Sequence, residues 1–182
     1  MRTRDFLLLA YDSFGGEIDG KTNLQKKVYF LGLMAGQDLG YGPHYYGPYS
    51  ERVADANAQL KSLEYVEESI AGVGDSDAFG FEIARHDFKL TDGGKILAKI
   101  KRSKYPEESR KIEEAAKKIR KAGEIGYMTL SVAAKAHFIL TQNSRKLTVE
   151  DMTEIAPRFG WTIGEDDLKR AIDFLSKIGA VP

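Results

Sequence analysis

The side chains that most often carry out catalysis or bind metals are few in this sequence and lie far apart. Cysteine is absent, so the chain has no thiolate nucleophile, no disulfide and no cysteine-based metal site. The three histidines, His44, His86 and His137, are widely spaced, and none belongs to a paired ligand motif. We therefore expect neither a metal site nor a cofactor.

Two short segments superficially resemble ligand-binding loops. Asp75-Ser76-Asp77 lacks the glycine and the terminal glutamate of a calcium-binding loop, so it is interpreted as a turn. Residues 91–95 (Thr-Asp-Gly-Gly-Lys) lack the spacing of a Walker phosphate loop, and the Gly-x-Ser-x-Gly motif of hydrolases is also missing. With no catalytic constellation in the sequence, we expect no enzymatic activity.

The charges of the chain are balanced. Twenty-seven basic and 27 acidic side chains give a net charge of zero. Residues 1–104 contain 14 basic and 15 acidic side chains, and residues 105–182 contain 13 and 12. Neutralising nucleic-acid phosphates usually requires a basic footprint, so any basic surface here must be a local patch.

The N-terminus carries no signal-peptide pattern. Its apolar run, from Phe6 to Tyr11, ends at Asp12 before a signal-peptide core would be complete. No apolar stretch approaches the roughly 20 residues needed to cross a bilayer. These features predict a soluble, cytoplasmic protein.

Hydrophobic periodicity and capping residues define the elements that would position any functional side chain. Periodic apolar residues predict helices at about 3–14, 23–39, 50–63 and 92–104. The expected caps of the last three are Thr22 or Asn23, Ser50, and Thr91. The second helix is apolar around most of its circumference, so we expect it to be central and buried.

A β-hairpin is predicted between the third and fourth helices. Tyr65-Val66-Glu67 is interpreted as a strand, residues 72–77 as a turn, and residues 79–90 as an alternating second strand. The order of helices and strands is typical of a winged helix-turn-helix. We therefore predict a mainly α (α+β) fold, with a winged helix-turn-helix module and a small hairpin wing in residues 1–104.

The third helix would enter the major groove if this module bound duplex DNA. Helical spacing places Val53, Ala56, Leu60 and Leu63 on its core face. Its outward face then carries Glu51 and Asp55, with Gln59 on the flank. Two carboxylates at the centre of that face would meet phosphates unfavourably, so we expect Glu51, Asp55 and Gln59 to bind a protein partner.

The turn before the third helix, Tyr46-Gly47-Pro48-Tyr49-Ser50, has two interpretations. In the first, Pro48 and Gly47 fix the backbone while Tyr46 and Tyr49 fill the core. In the second, Tyr46 and Tyr49 form a recognition surface for a partner.

A DNA-binding alternative rests on basic residues outside the third helix, together with Lys61 on its flank. The stretch 99–121 is rich in lysine and arginine, and the wing carries further candidates. The residues that would contact nucleic acid are Lys61, Arg85, His86, Lys99, Lys101, Arg102 and Lys104.

Residues 105–182 are predicted to be all-helical. Helices are expected at about 107–121, 128–140, 148–159 and 164–178, with Thr148 as a cap. This segment is interpreted as a separate subdomain, either a helix-turn-helix without a wing or a dimerisation unit.

Two motifs resemble known families. Residues 22–31 (TNLQKKVYFL), followed by residues 45–50 (YYGPYS), resemble the uncharacterised YwgA-like proteins of bacteria and archaea and, more distantly, the Panacea antitoxin domain. The junctions at 60–66 and 88–94 also resemble those of PadR- and MarR-like winged-helix proteins. The first resemblance covers about residues 5–100 and implies a small intracellular helix-turn-helix-like protein without known catalysis. Kinship with the Panacea domain would imply neutralising or adapting a partner protein.

Together these features predict a non-catalytic regulatory binding protein. It would use its winged-helix surface to hold another protein, in the manner of an antitoxin or adaptor, or to associate with itself. The alternative is a transcription regulator that binds DNA through the wing and the stretch 99–121.

Overall fold

The computed structural model describes residues 1–71, 84–123, 126–143 and 146–181. The described part is mainly helical and contains a small antiparallel sheet. Its elements are α1 (Thr3–Ser13), β1 (Glu17–Asp19), α2 (Lys21–Ala35), α3 (Glu51–Ser62), β2 (Val66–Ala71), β3 (Arg85–Leu90), α4 (Asp92–Lys104), α5 (Pro106–Lys121), α6 (Tyr127–Thr141), α7 (Val149–Ile155), a 3₁₀ turn (Ala156–Phe159) and α8 (Glu165–Ile178). Within these ranges, no helix is long and apolar enough to span a membrane.

The sheet has the strand order β1-β3-β2, and both neighbouring pairs are antiparallel. The predicted pairing of β2 with β3 is confirmed, with Val66 opposite Leu90 and Ala71 opposite Arg85. The predicted turn at 72–77 and the first part of the predicted strand, residues 79–83, lie outside the described residues.

Strand β1 lies in a segment where the sequence pattern predicts no strand. Ile18 pairs with Phe88 of β3, and both side chains are buried. Its neighbours Glu17 and Asp19 are exposed. One inward apolar residue is too short a pattern to predict a strand. Residues 17–19 form a strand because they pair with β3.

Helices α1 and α2 form the centre of the molecule. All residues from Phe6 to Tyr11 are buried, so α1 is enclosed around its whole circumference. The prediction of a buried α2 is confirmed for Val28, Phe30 and Leu31. Leu33, which was expected to extend the apolar surface of α2, is exposed.

The ends of α2 differ from the prediction. The helix begins at Lys21, and its N-cap is Gly20 rather than Thr22 or Asn23. Gly20 has a φ of 79°, a conformation that glycine adopts without a steric penalty. The helix ends before Gly36, which is left-handed with a φ of 71°, so the expected continuation to residue 39 is wrong.

The other predicted caps are confirmed. Ser50, Thr91 and Thr148 each accept a hydrogen bond from the backbone N–H three residues later, at 3.1, 3.0 and 3.1 Å. Asp151 completes a capping box at the start of α7, because its carboxylate accepts from the Thr148 backbone N–H at 2.9 Å.

The elements described after Lys104 are all helical, and α5, α6 and α8 contact α2. The Tyr29 hydroxyl of α2 lies 2.7 Å from His137 Nδ1 of α6. The rings of Phe30 in α2 and Phe174 in α8 meet edge to face at 5.4 Å between centroids. One face of α5 is buried, and it consists of Ile112, Ala115, Ala116 and Ile119.

Candidate protein-interaction surface

The segment between α2 and α3, here called the tyrosine turn (residues 44–50), is held firmly from its inner side. The Gln25 side chain makes a reciprocal pair with Ser50, donating to its carbonyl at 3.1 Å and accepting from its N–H at 3.0 Å. Lys26 Nζ donates to the Pro48 carbonyl at 2.6 Å. The Tyr41 hydroxyl donates to the Gln25 carbonyl at 2.7 Å. These bonds join the Leu-Gln-Lys motif to the Tyr-Gly-Pro motif.

Lys26 is an unusual residue to find in this position. Its side chain is 2% exposed, and no carboxylate within the described residues forms an ion pair with it. Burial, together with the nearby charge of Lys135, lowers the pKa of Lys26 to about 7. The amine is therefore a structural hydrogen-bond donor that the fold can hold in its neutral form.

The close packing of Lys26 and Lys135 against the tyrosine turn requires a glycine at position 47. Its φ is 95°, and a Cβ there would lie 3.0 Å from Lys135 Cγ and 3.4 Å from Lys26 Cε. A side chain at this position would be strained by both the backbone and its neighbours. The glycine of the motif therefore has a packing role.

The outer side of the tyrosine turn is open to solvent. Tyr45 and Tyr46 are 72% and 61% exposed, and their rings are perpendicular at 4.8 Å. The expectation that Tyr46 fills the core is therefore wrong. Tyr49 is half-buried, with its ring 4.9 Å from that of His44. The Tyr46 carbonyl accepts from Ser131 at 2.6 Å, so the backbone is fixed while the rings are free.

The outward face of α3 carries the side chains that the sequence placed there. Glu51, Asp55 and Gln59 are all exposed. Leu63, which was expected on the core face, is exposed instead, and Asn57 takes a buried position. Asn57 is satisfied there because its Oδ1 accepts from the hydroxyl of Tyr11, a buried residue of α1, at 2.8 Å.

Asp55 and Gln59 also line a groove that the sequence did not predict. The groove has a volume of about 340 Å³ and lies between the start of α1 and the face of α3. Its lining includes three arginines, Arg2, Arg4 and Arg52. None of them forms an ion pair with a described carboxylate, so this groove (the arginine groove) has charges available to a ligand.

The structure also shows why Arg52 lies in the arginine groove. Its side chain passes over the backbone of Gly40, where a Cβ would lie 3.0 Å from Arg52 Nε. Arg2 and Arg4 stand two residues apart at the chain start, whereas Arg52 lies on α3. Because the cluster forms only when α1 and α3 pack together, helical spacing within one segment does not reveal it.

Lys61 of α3 and the basic residues proposed for the wing are paired within the chain. Lys61 and His86 both contact Glu68, and His86 Nδ1 lies 2.7 Å from Glu68 Oε1. Burial raises the pKa of Glu68, but the hydrogen bonds from Lys61 and His86 outweigh this effect and lower it. Arg85 contacts Asp87 at 2.6 Å, and this carboxylate raises the pKa of Arg85.

The stretch that follows the wing is partly neutralised. Lys101 contacts Asp5 at 2.8 Å, and Arg102 contacts Asp12. Lys104 lies over the Tyr105 ring, 5.4 Å from its centroid, and Lys99 has no ion pair with a described residue. Farther along α5, the partners of Arg110, Lys117 and Arg120 are Glu107, Glu113 and Glu114.

The structure does not bring histidines and acidic residues into a metal-binding arrangement within its described residues. His137 is buried beside Tyr29, and this burial lowers its pKa to about 4. His44 lies in the tyrosine turn, where its carbonyl accepts from the Trp161 indole N–H at 2.7 Å.

Neither a family model nor a curated protein matches this chain.

Proposed function

We propose that this chain is a non-catalytic regulatory binding protein that holds a partner protein on the outward face of α3. The observation that carries this proposal is the distribution of paired charges. Five of the seven basic residues considered for DNA binding already contact carboxylates of the same chain. Around α3, by contrast, Arg52, Asp55 and their neighbours in the arginine groove remain available.

We propose that the fold that carries this binding face is a winged helix-turn-helix. The order of α1, α2 and α3 followed by the antiparallel strands β2 and β3 supports this assignment. The buried fit between residues 24–26 and the tyrosine turn supports the proposed kinship with YwgA-like proteins and the Panacea domain. It also suggests that the motifs shared with those families stabilise the turn that presents Tyr45 and Tyr46.

The exposed residues suggest the chemistry of the partner. Protein interfaces are enriched in tyrosine and arginine, because both combine a large contact area with directed polar groups. Tyr45 and Tyr46 offer such area, and the three arginines of the groove would receive carboxylates. The proposed partner is therefore a protein whose binding segment carries acidic and apolar residues.

Recovery of the chain with its partner from the organism that encodes it tests this proposal. The wild-type chain should retain one protein that both Arg52→Glu and Tyr46→Ala lose. Lys118→Ala, an exposed substitution on α5, should retain it. If both substituted chains retain the partner, or if Lys118→Ala loses it equally, the assignment of partner binding to the α3 face is contradicted.

A second candidate function, DNA binding, is favoured by one observation. Arg2, Arg4 and Arg52 are unpaired and lie beside the helix that a winged-helix protein would place in the major groove. Binding to a random-sequence duplex, measured across a salt series, separates the two proposals. A DNA-binding protein with several phosphate contacts would weaken steeply between about 50 and 200 mM salt. The protein-partner proposal predicts no complex even at low salt.

A further inference from the structure

Helix α4 presents an exposed apolar stripe that no contact within the described residues covers. Ile96 and Ile100, one helical turn apart, are 61% and 57% exposed. The opposite side of the helix, including Gly94 and Ala98, is buried. Two adjacent exposed isoleucines are costly to keep in water, so the stripe indicates an interface.

Charges of opposite sign continue the stripe at its two ends. Asp92 lies one turn before Ile96, and Lys104 lies one turn after Ile100. The Asp92 side chain is 95% exposed although it contacts Lys95 at 3.0 Å. Lys104 contacts no described carboxylate. Read in reverse, the order is base, isoleucine, isoleucine, acid, so an antiparallel copy of the helix places each acid opposite a base.

We propose that α4 pairs with α4 of a second copy of this chain in an antiparallel, two-fold symmetric dimer. A two-fold axis at Ala98 places Ile96 opposite Ile100 of the second copy and Asp92 opposite its Lys104. It also places Gly93 opposite Ser103, two small residues that permit close approach of the helices. A helix from an unrelated protein would not explain why the stripe complements itself.

The neighbouring surface enlarges the apolar contact. Leu63 is exposed beside α4, and a hollow of about 200 Å³ is lined in part by Leu60, Leu63, Tyr65 and Leu97. A single helix pair is a small contact compared with the roughly 1,000 Å² of a specific interface, so we expect a weak dimer with a Kd on the order of micromolar. The isoleucine stripe lies on α4 and not on the outward face of α3, so the proposed dimer does not depend on the proposed partner.

Sedimentation velocity over a concentration series tests the apolar part of the interface. The mass of the wild-type chain should rise from 20.3 kDa towards twice that value. Ile100→Glu should remain monomeric with unchanged helix content, because the side chain is exposed in the monomer. The control Ile70→Glu, an exposed isoleucine on β2, should dimerise normally. A monomeric wild type, or a dimer that survives Ile100→Glu, would overturn the proposal.

Charge exchange tests the register. Asp92→Lys or Lys104→Asp alone should weaken dimerisation by about tenfold, because two symmetric pairs become repulsive. The double variant Asp92→Lys/Lys104→Asp should restore it. Asp166→Lys on α8, also an exposed acid in a first helical turn, should have no effect. Failure of the double variant to recover affinity would overturn the antiparallel arrangement.

Discussion

The cations on the sheet side of the molecule and those of the arginine groove have opposite surroundings. Lys61, Arg85 and His86 each contact a carboxylate. Arg2 and Arg4, with Arg52, contact no described carboxylate. A net charge of zero therefore conceals one neutralised region and one region that can still bind. Binding capacity follows from local pairing rather than from the number of basic residues.

The largest effect is expected from breaking a pair on the neutralised side. Asp5 is buried against Lys101, with side-chain exposures of 6% and 19%. Asp5→Ala should lower the free energy of unfolding by about 3 kcal/mol, because it leaves a poorly solvated lysine without its partner. Urea denaturation measures this change. Asp173→Ala, which removes an exposed pair with Lys177, should change stability little.

The tyrosine turn gives a second contrast, between its locked inner side and its open outer side. Gly47→Ala should destabilise the protein by about 2 kcal/mol, since it adds close contacts to an unfavourable φ. Gly36→Ala has an unfavourable φ of 71° but no neighbour within 4 Å, so we expect about 1 kcal/mol. Thermal or urea unfolding of the two variants separates packing from backbone strain. Equal losses would contradict the close fit at Gly47.

The lowered pKa of Lys26 predicts that the free energy of unfolding depends on pH. Its pKa is lowered from 10.5 to about 7 in the folded state, so the unfolded state binds more protons between these values. Stability should therefore rise with pH, by about 1 kcal/mol between pH 7 and 8. Lys26→Met should lack this component, and unfolding in urea at both pH values measures the difference. Identical pH profiles for the two proteins would show that Lys26 stays charged in the fold.

The sequence predicted the elements that local chemistry determines. Ser50, Thr91 and Thr148 begin helices because a hydroxyl can cap the backbone beside it. The outward position of Asp55 and Gln59 on α3 follows from helical spacing. The short strand β1 was missed, since Ile18 becomes part of a strand only when Phe88 lies opposite it.

The features that distinguish the two charged regions depend on tertiary contacts. Glu68 neutralises Lys61 and His86 because α3 and two paired strands bring them together. Arg52 joins Arg2 and Arg4 only when α3 packs on α1. Neither arrangement has a periodic signal in the sequence. Counting charges therefore identified candidate residues without showing which of them were available.

The smallest effect is expected from removing a carboxylate on the sheet side, so that its cations become unpaired like those of the arginine groove. Glu68→Gln would remove the carboxylate that pairs with the Lys61 amine and contacts the His86 imidazole. Weak binding to duplex DNA should then appear at low salt and disappear as salt rises, with a log–log slope of about −0.9 for each phosphate contacted. Fluorescence anisotropy measures it against the wild-type chain. Strong binding by the wild type itself would show that the pairing does not prevent DNA binding.

Photo-crosslinking on the α3 face tests the central claim most directly. A photoreactive residue in place of Gln59 should form a protein adduct with a different chain when irradiated in the native organism, and the adduct should resist nuclease. The same residue in place of the exposed Lys118 should form no such adduct. A nuclease-sensitive adduct at position 59, or the same protein captured from both positions, would contradict partner binding on this face.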